Sequence, residues 1–182
     1  MGDSNLIYKH LIATKKIDDL DANLSRAEKL HSASFRIFIE EWVHWLRIWD
    51  LWILNFYKTR AFLLGVSGIH SYPLQVLVGA WAYRVNKKMV WAQGVGRHSE
   101  EEVKGFISEA AELIVAFLQE EKRLTDVERP CLVQATLFGL LMSLFRAKSC
   151  STAWKAELDR YPEMESWTRS MAKKWYPERA FP

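Results

Sequence analysis

The stretch SRAEKLHSASFRIFIEEWVHWLRIWDLWILNFYKTRAFLL, Ser25 to Leu64, contains no glycine or proline and reads as one long helix. It opens on Ser25 with Glu28 three residues later. That is a capping box: the serine oxygen accepts from an orphan backbone amide and the glutamate accepts from the serine's own amide. Phe35, Phe38, Trp42, Trp45, Trp49, Trp52 and Phe56 then recur at alternating spacings of three and four, which places seven aromatic side chains on one stripe. A helix of this length is expected to bend somewhere.

Working outward, a short helix is expected from Asp3 or Ser4 to about Lys16, followed by a loop at Asp18-Asp19-Leu20-Asp21. On the other side, Gly65 to Tyr72 makes a connection and Pro73 suits the first turn of a helix running to about Gln93. Gly94-Val95-Gly96 ends that helix, and Ser99 with Glu102 forms a second capping box for a helix to about Lys122. Val103, Phe106, Ile107, Ala110, Ile114, Phe117 and Leu118 mark its buried face. Cys131 to about Ala147 is the most uniformly apolar segment, expected at the centre with almost no wet face. Ser151 to Arg160 and Pro162 to Trp175 complete an all-α chain, parted by Pro162.

A chain of 182 residues is enough for one core and short for two, so residues 1–182 read as a single helical domain. Charged residues at 26% against an apolar 49% fit neither a membrane bundle nor a disordered chain. The apolar run Trp42 to Leu64 carries Arg47, Asp50, Lys58 and Arg60, and Leu132 to Phe145 is too short to span a bilayer. A net charge of +3, with both signs interspersed, implies no nucleic-acid partner. Cys131 and Cys150 lack the paired spacing of a zinc site or disulfide framework, which implies a reducing compartment. Met1 to Lys16 lacks the pattern of a secretory signal, so the expected location is cytoplasmic.

No catalytic constellation emerges. Glu40, Glu41 and His44 resemble half of a carboxylate metal site, but no second copy of the pattern exists, and they read as a solvated helix face with no metal. Gly94-Val95-Gly96 with Arg97 and His98 lacks the glycine spacing of a dinucleotide fingerprint and the lysine of a phosphate loop, so it reads as a turn. Ser4 and His10, six residues apart on one short helix, point to different sides. Cys131 reads as a small buried hydrophobe and Cys150 as a loop thiol, neither with an evident base.

Several motifs in this order carry a family resemblance. Asp19-Leu20-Asp21-Ala22-Asn23-Leu24-Ser25 precedes the long helix, Phe35-Arg36 and Glu40-Glu41 precede the tryptophans, and Gly94 to Glu102 includes a glycine-arginine-histidine-serine turn. With Tyr161-Pro162 and Trp175-Tyr176-Pro177 at the end, the chain resembles the helical C-terminal domain of glutathione S-transferases, in the branch of metaxins and failed-axon-connections proteins.

The resemblance implies a helical bundle at 25–177, with 1–24 as a junction to an absent thioredoxin-like domain. Asp3 and Ser4 look like the acidic residue and serine that end that domain and hold the γ-glutamyl end of glutathione, here a vestige of the site. The thiol-activating residue of such enzymes has no counterpart, so catalytic residues are expected to be none, no cofactor is required, and glutathione is the one ligand suggested. Most of the aromatic seam is expected to pack in the core. Its first part, Phe35, Phe38, Trp42 and Trp45, lies nearer the lost domain and is the candidate apolar pocket or partner surface, for another protein or a second copy in a homodimer. Trp49 and Trp52 should be well buried and Phe35 and Phe38 less protected. Where the family has threonine or serine and, three residues on, aspartate to cap the central helix, this chain has Cys131 and Gln134.

Three functions follow from the resemblance: a non-catalytic or vestigial metaxin-related binding module; a glutathione transferase-like enzyme whose thioredoxin-like half comes from another chain or a longer gene product; and an adaptor at a mitochondrial or other membrane surface, for which no anchor is seen.

Overall fold

A computed structural model describes residues 4–68 and 71–178, and among them every regular element is a helix. Helix α1 is Ser4–Ala13, ended by the Thr14 hydroxyl donating to the His10 carbonyl at 2.8 Å. The Tyr8 hydroxyl ties α1 to the following loop: it donates to Asp19 at 3.0 Å and accepts from the Leu20 amide at 2.9 Å. Its pKa is pushed up to about 12, first by burial and then by Asp19.

The long helix is helical almost throughout, but it is not one regular α-helix. After α2 (Arg26–Phe38) comes a π-helical turn at Ile39–Val43, then α3 (His44–Trp49), then a second π turn at Asp50–Leu54. Asn55, at φ −116 and ψ 33, breaks the rod before α4 (Phe56–Val66). The expected bend is thus made by two π turns and an asparagine. The capping box holds as read, with Ser25 N to Glu28 at 2.7 Å and Glu28 N to Ser25 Oγ at 3.2 Å.

Helix α5 (Tyr72–Gln93) takes Pro73 in its first turn and stops at Gly94, whose φ of 122 is costly for any residue with a Cβ. Gly96 is held by space: a Cβ there would sit 2.9 Å from the Trp91 amide nitrogen. The Ser99–Glu102 box starts α6 (Glu100–Glu120), with its bonds at 2.8 and 3.2 Å. The short α7 (Lys122–Thr125), α8 (Leu132–Arg146), α9 (Ala153–Arg160) and α10 (Pro162–Trp175) follow.

The core lies where α6 and α8 meet the long helix. Val43, Leu46 and Trp49 join Val103, Ile107, Ile114, Leu137, Leu141 and Leu144 in one buried cluster. Trp49 and Trp52 are buried and Phe35 and Phe38 are half-buried, the order expected of them, and Trp42 and Trp45 also pack half-buried against the cluster. A smaller cluster of Leu51, Trp52, Ala147 and Cys150 sits beneath α4. Cys150 lies in the turn after α8, as expected of a loop thiol, but it is only 3% exposed, because the second cluster closes over it.

Two joints, one part-buried and one fully buried, hold distant segments together. Cys131 supplies no side-chain cap to α8; the Asp21 carboxylate does, accepting from the Leu132 amide at 2.8 Å. Gln134 does not reach back to the cap but turns to the preceding loop, donating to the Asp126 carbonyl at 2.8 Å. The second joint is Asp50, fully buried at the start of the second π turn. Its carboxylate accepts from the Asn55 amide at 2.8 Å, from the Ser151 hydroxyl, and from the Ala153 and Trp154 backbone amides at 3.4 and 3.3 Å. A residue of the long helix thus caps the N-terminus of α9 from across the fold, where a negative charge is favoured.

Candidate partner-binding groove

The central helix α8 has the wet face its composition hid. Val133, Leu137, Leu140, Leu141 and Leu144 face the core, but Ala135, Gly139 and Arg146 are exposed. Ala135 and Gly139 count as apolar or neutral in a periodicity reading, yet both are too small to carry much surface into a core. Their side of α8 forms the floor of two adjoining grooves.

The first, about 440 Å³, lies between α8 and the long helix, with Ile39, Glu40, His44 and Arg47 on one wall and Thr136, Gly139, Leu140 and Ser143 on the other. The second, about 390 Å³, shares Gly139 and Ser143 and continues to Phe138, Met142 and Tyr176. There Phe138 and Tyr176 stack with ring centroids 5.6 Å apart. The hydroxyls on the floor are spent on the helix itself, Ser143 donating to the Leu140 carbonyl at 2.6 Å and Thr136 to the Leu132 carbonyl at 3.4 Å.

Polar chemistry in the groove comes from one wall. The Arg47 Nε is buried with no hydrogen-bond partner among the described residues, and burial lowers the pKa of this guanidinium. Beside it, burial and then the Arg47 charge push the His44 imidazole below its ordinary range, against the opposing pull of Glu41. Glu40 is shared with Arg36 at 3.8 Å, and Arg36 also donates to the Asn5 side chain. That chain of contacts places the start of α1 next to the groove. Asp3 and the side chain of Ser4 lie outside the described residues.

The first four aromatics of the seam do not line either groove. Phe35 stacks on Phe117 of α6 with centroids 3.7 Å apart, and Trp42 tilts against Phe106 at 5.5 Å. Trp45 packs at the margin of the core, with the His44 ring edge-on to it at 5.4 Å. The groove instead uses Glu40, His44 and Arg47, which lie off the stripe. Among the described residues no three metal-binding side chains come together.

The Gly94–His98 segment is a structural turn. Arg97 Nε donates to the Trp91 carbonyl at 3.1 Å, and the His98 ring packs edge-on against Phe106 at 5.0 Å and lies 3.7 Å from Glu102. Cys131 is buried, its thiol raised in pKa first by burial and its Sγ donating to the Leu124 carbonyl at 3.5 Å, so it is no nucleophile.

A wider cleft of about 870 Å³, between α4 and the α8–α9 corner, is lined by Lys58, Arg146, Lys148 and Lys155. Its two carboxylates are engaged, Asp159 with Lys148 at 2.6 Å and Glu165 with Arg169 at 2.7 Å. Arg146, Lys148 and Lys155 come from one short stretch of the chain, and Lys58 joins them from α4.

No helix among the described residues is long and apolar enough to cross a membrane. No family model, curated protein or solved structure matches the chain.

Proposed function

We propose that this chain is a helical binding module of the glutathione S-transferase C-terminal type, related to metaxins, whose groove along α8 receives another folded domain. The observation that carries the reading is the groove itself: an open floor of small residues on the central helix, beside the start of α1, with the buried Arg47 Nε lacking an acceptor. A buried donor left unpaired costs about 1 to 3 kcal/mol, a cost that a partner's carbonyl or carboxylate entering the groove would remove. In the resembled family the domain preceding such a bundle is thioredoxin-like, and that is the kind of partner proposed.

The groove offers no nucleophile and no thiol-activating hydroxyl, since Ser143 and Thr136 are bonded to their own helix. The chain alone is therefore expected to pass through a glutathione resin and to conjugate no generic electrophile. Measurable turnover by the isolated chain would overturn the non-catalytic reading in favour of an enzyme. Gly139 tests the groove directly, because a Cβ built there meets nothing within 4 Å. Gly139→Leu should leave the fold intact by circular dichroism and abolish capture of a co-expressed thioredoxin-like domain that the unaltered chain retains.

A further inference from the structure

Helix α5 is 22 residues long, about 33 Å at 1.5 Å per residue, yet only Gly79 and Val90 are buried in it. At helical spacing Leu74, Leu77, Trp81, Arg84, Val85 and Lys88 fall on one arc of about 100°. All six are exposed, Leu77 at 68% and Trp81 at 66%. Met89 at 46% and Trp91 at 59% flank them. So much contiguous aromatic and aliphatic surface is unusual on a molecule that meets only water. The arc contributes nothing to the α8 groove, so its occupant is a separate question.

Charge identifies the occupant. No aspartate or glutamate occurs between Asp50 and Glu100, although the chain carries twenty-two of them. The elements that pack most on α5 are α3, the second π turn, α4 and the 3-10 turn Val95–Arg97. Among them Asp50 is the one acidic residue, and it is buried beneath α9. The face is thus apolar and cationic with no compensating acid. A second copy docking about a two-fold axis would bring two sets of Arg84 and Lys88 into one interface with no acid to neutralise them. A protein groove would have to place carboxylates within the same narrow arc as pockets for Leu77 and Trp81.

A phospholipid surface separates these needs by depth, phosphates above and acyl chains below. Tryptophan favours that boundary, and long basic side chains snorkel from it to the phosphates. We propose that the α5 arc docks the protein on an anionic phospholipid surface, with the helix lying parallel to it and Leu77 and Trp81 inserted.

The test is flotation of the full chain with vesicles of phosphatidylcholine alone and of phosphatidylcholine mixed with phosphatidylserine. The chain should float with the mixed vesicles about tenfold more than with the neutral ones, and high salt should reduce the difference. Leu77→Ser with Trp81→Ser should lower flotation about tenfold, as should Arg84→Glu with Lys88→Glu, with helicity unchanged because all four side chains are exposed. A chain that stays at the bottom of the gradient with both vesicles overturns the proposal. So does flotation that neither double variant alters. A chain that runs as a dimer until Leu77 and Trp81 are replaced assigns the arc to a second copy and overturns it equally.

Discussion

Asp21 and Asp50 do the same kind of work at different depths, and the difference sets what each is worth. Asp21 accepts one amide, Leu132 N, at the partly buried start of α8, so Asp21→Ala is expected to cost about 1 kcal/mol, within the usual range for a lost cap. Asp50 is fully buried and takes donors from Asn55, Ser151, Ala153 and Trp154. Asn55 keeps its bonds to the Asp50 carbonyl and the Thr152 hydroxyl, but the Ser151 hydroxyl and the Ala153 and Trp154 amides lose this acceptor, and a buried donor left unpaired costs about 1 to 3 kcal/mol, so Asp50→Ala is expected to cost about 3 kcal/mol or more. Urea unfolding of the two variants checks the order; equal losses would show that the Asp50 joint is not the anchor of α9. Neither aspartate was legible as a cap in the sequence. Asp21 was read as part of a loop motif and Asp50 as a charge within an apolar run, because their partners lie 111 and 101 residues away.

At the scale of elements, what is local was readable and what is imposed from across the fold was not. Both capping boxes, the stop at Gly94 and the break at Pro162 stand where their residues put them, since each is decided within a few residues by backbone sterics and by which amides lack partners. The two π turns left no signal, since neither IEEWV nor DLWIL holds the glycine or proline that marks a local break. The groove was hidden for a related reason: hydropathy scores Ala135 and Gly139 as core-compatible without regard to their size. The capping boxes also have a pH signature. Bonds from the Ser25 and Ser99 amides and hydroxyls hold the Glu28 and Glu102 carboxyls below the ordinary 4.5. Unfolded, these glutamates take up protons first, so the stabilisation they give is present above pH 4.5 and is lost as pH falls through the lower folded values. Helicity measured during acid titration should therefore fall less steeply in Glu28→Ala with Glu102→Ala than in the unaltered chain; identical curves would remove the boxes as the origin of that loss.

Across the whole molecule, burial is shared out unevenly, and the sharing predicts where it opens. Helix α6 buries eight residues and α8 seven, all but Gln134 tied to the long helix in one cluster, whereas α5 buries two and rests mainly on α3, α4, the second π turn and the Val95–Arg97 turn. Local opening of a helix costs the contacts it makes with the rest, so α5 can detach while the α6–α8 core stays closed. Amide hydrogen exchange is expected to show two levels of protection: α6 and α8 exchanging only with global unfolding, and α5 exchanging through a cheaper opening that denaturant barely affects. If α5 exchanged with the same free energy as α6, the molecule would be one cooperative unit and the exposed arc would be held by contacts other than those seen. Anything that covers the arc should raise α5 toward the level of the core and leave α6 and α8 unchanged, since binding to the closed form stabilises only the element whose opening removes the site. Exchange with and without anionic vesicles thus reads docking and helix together, with the protection of α6 and α8 as the internal control.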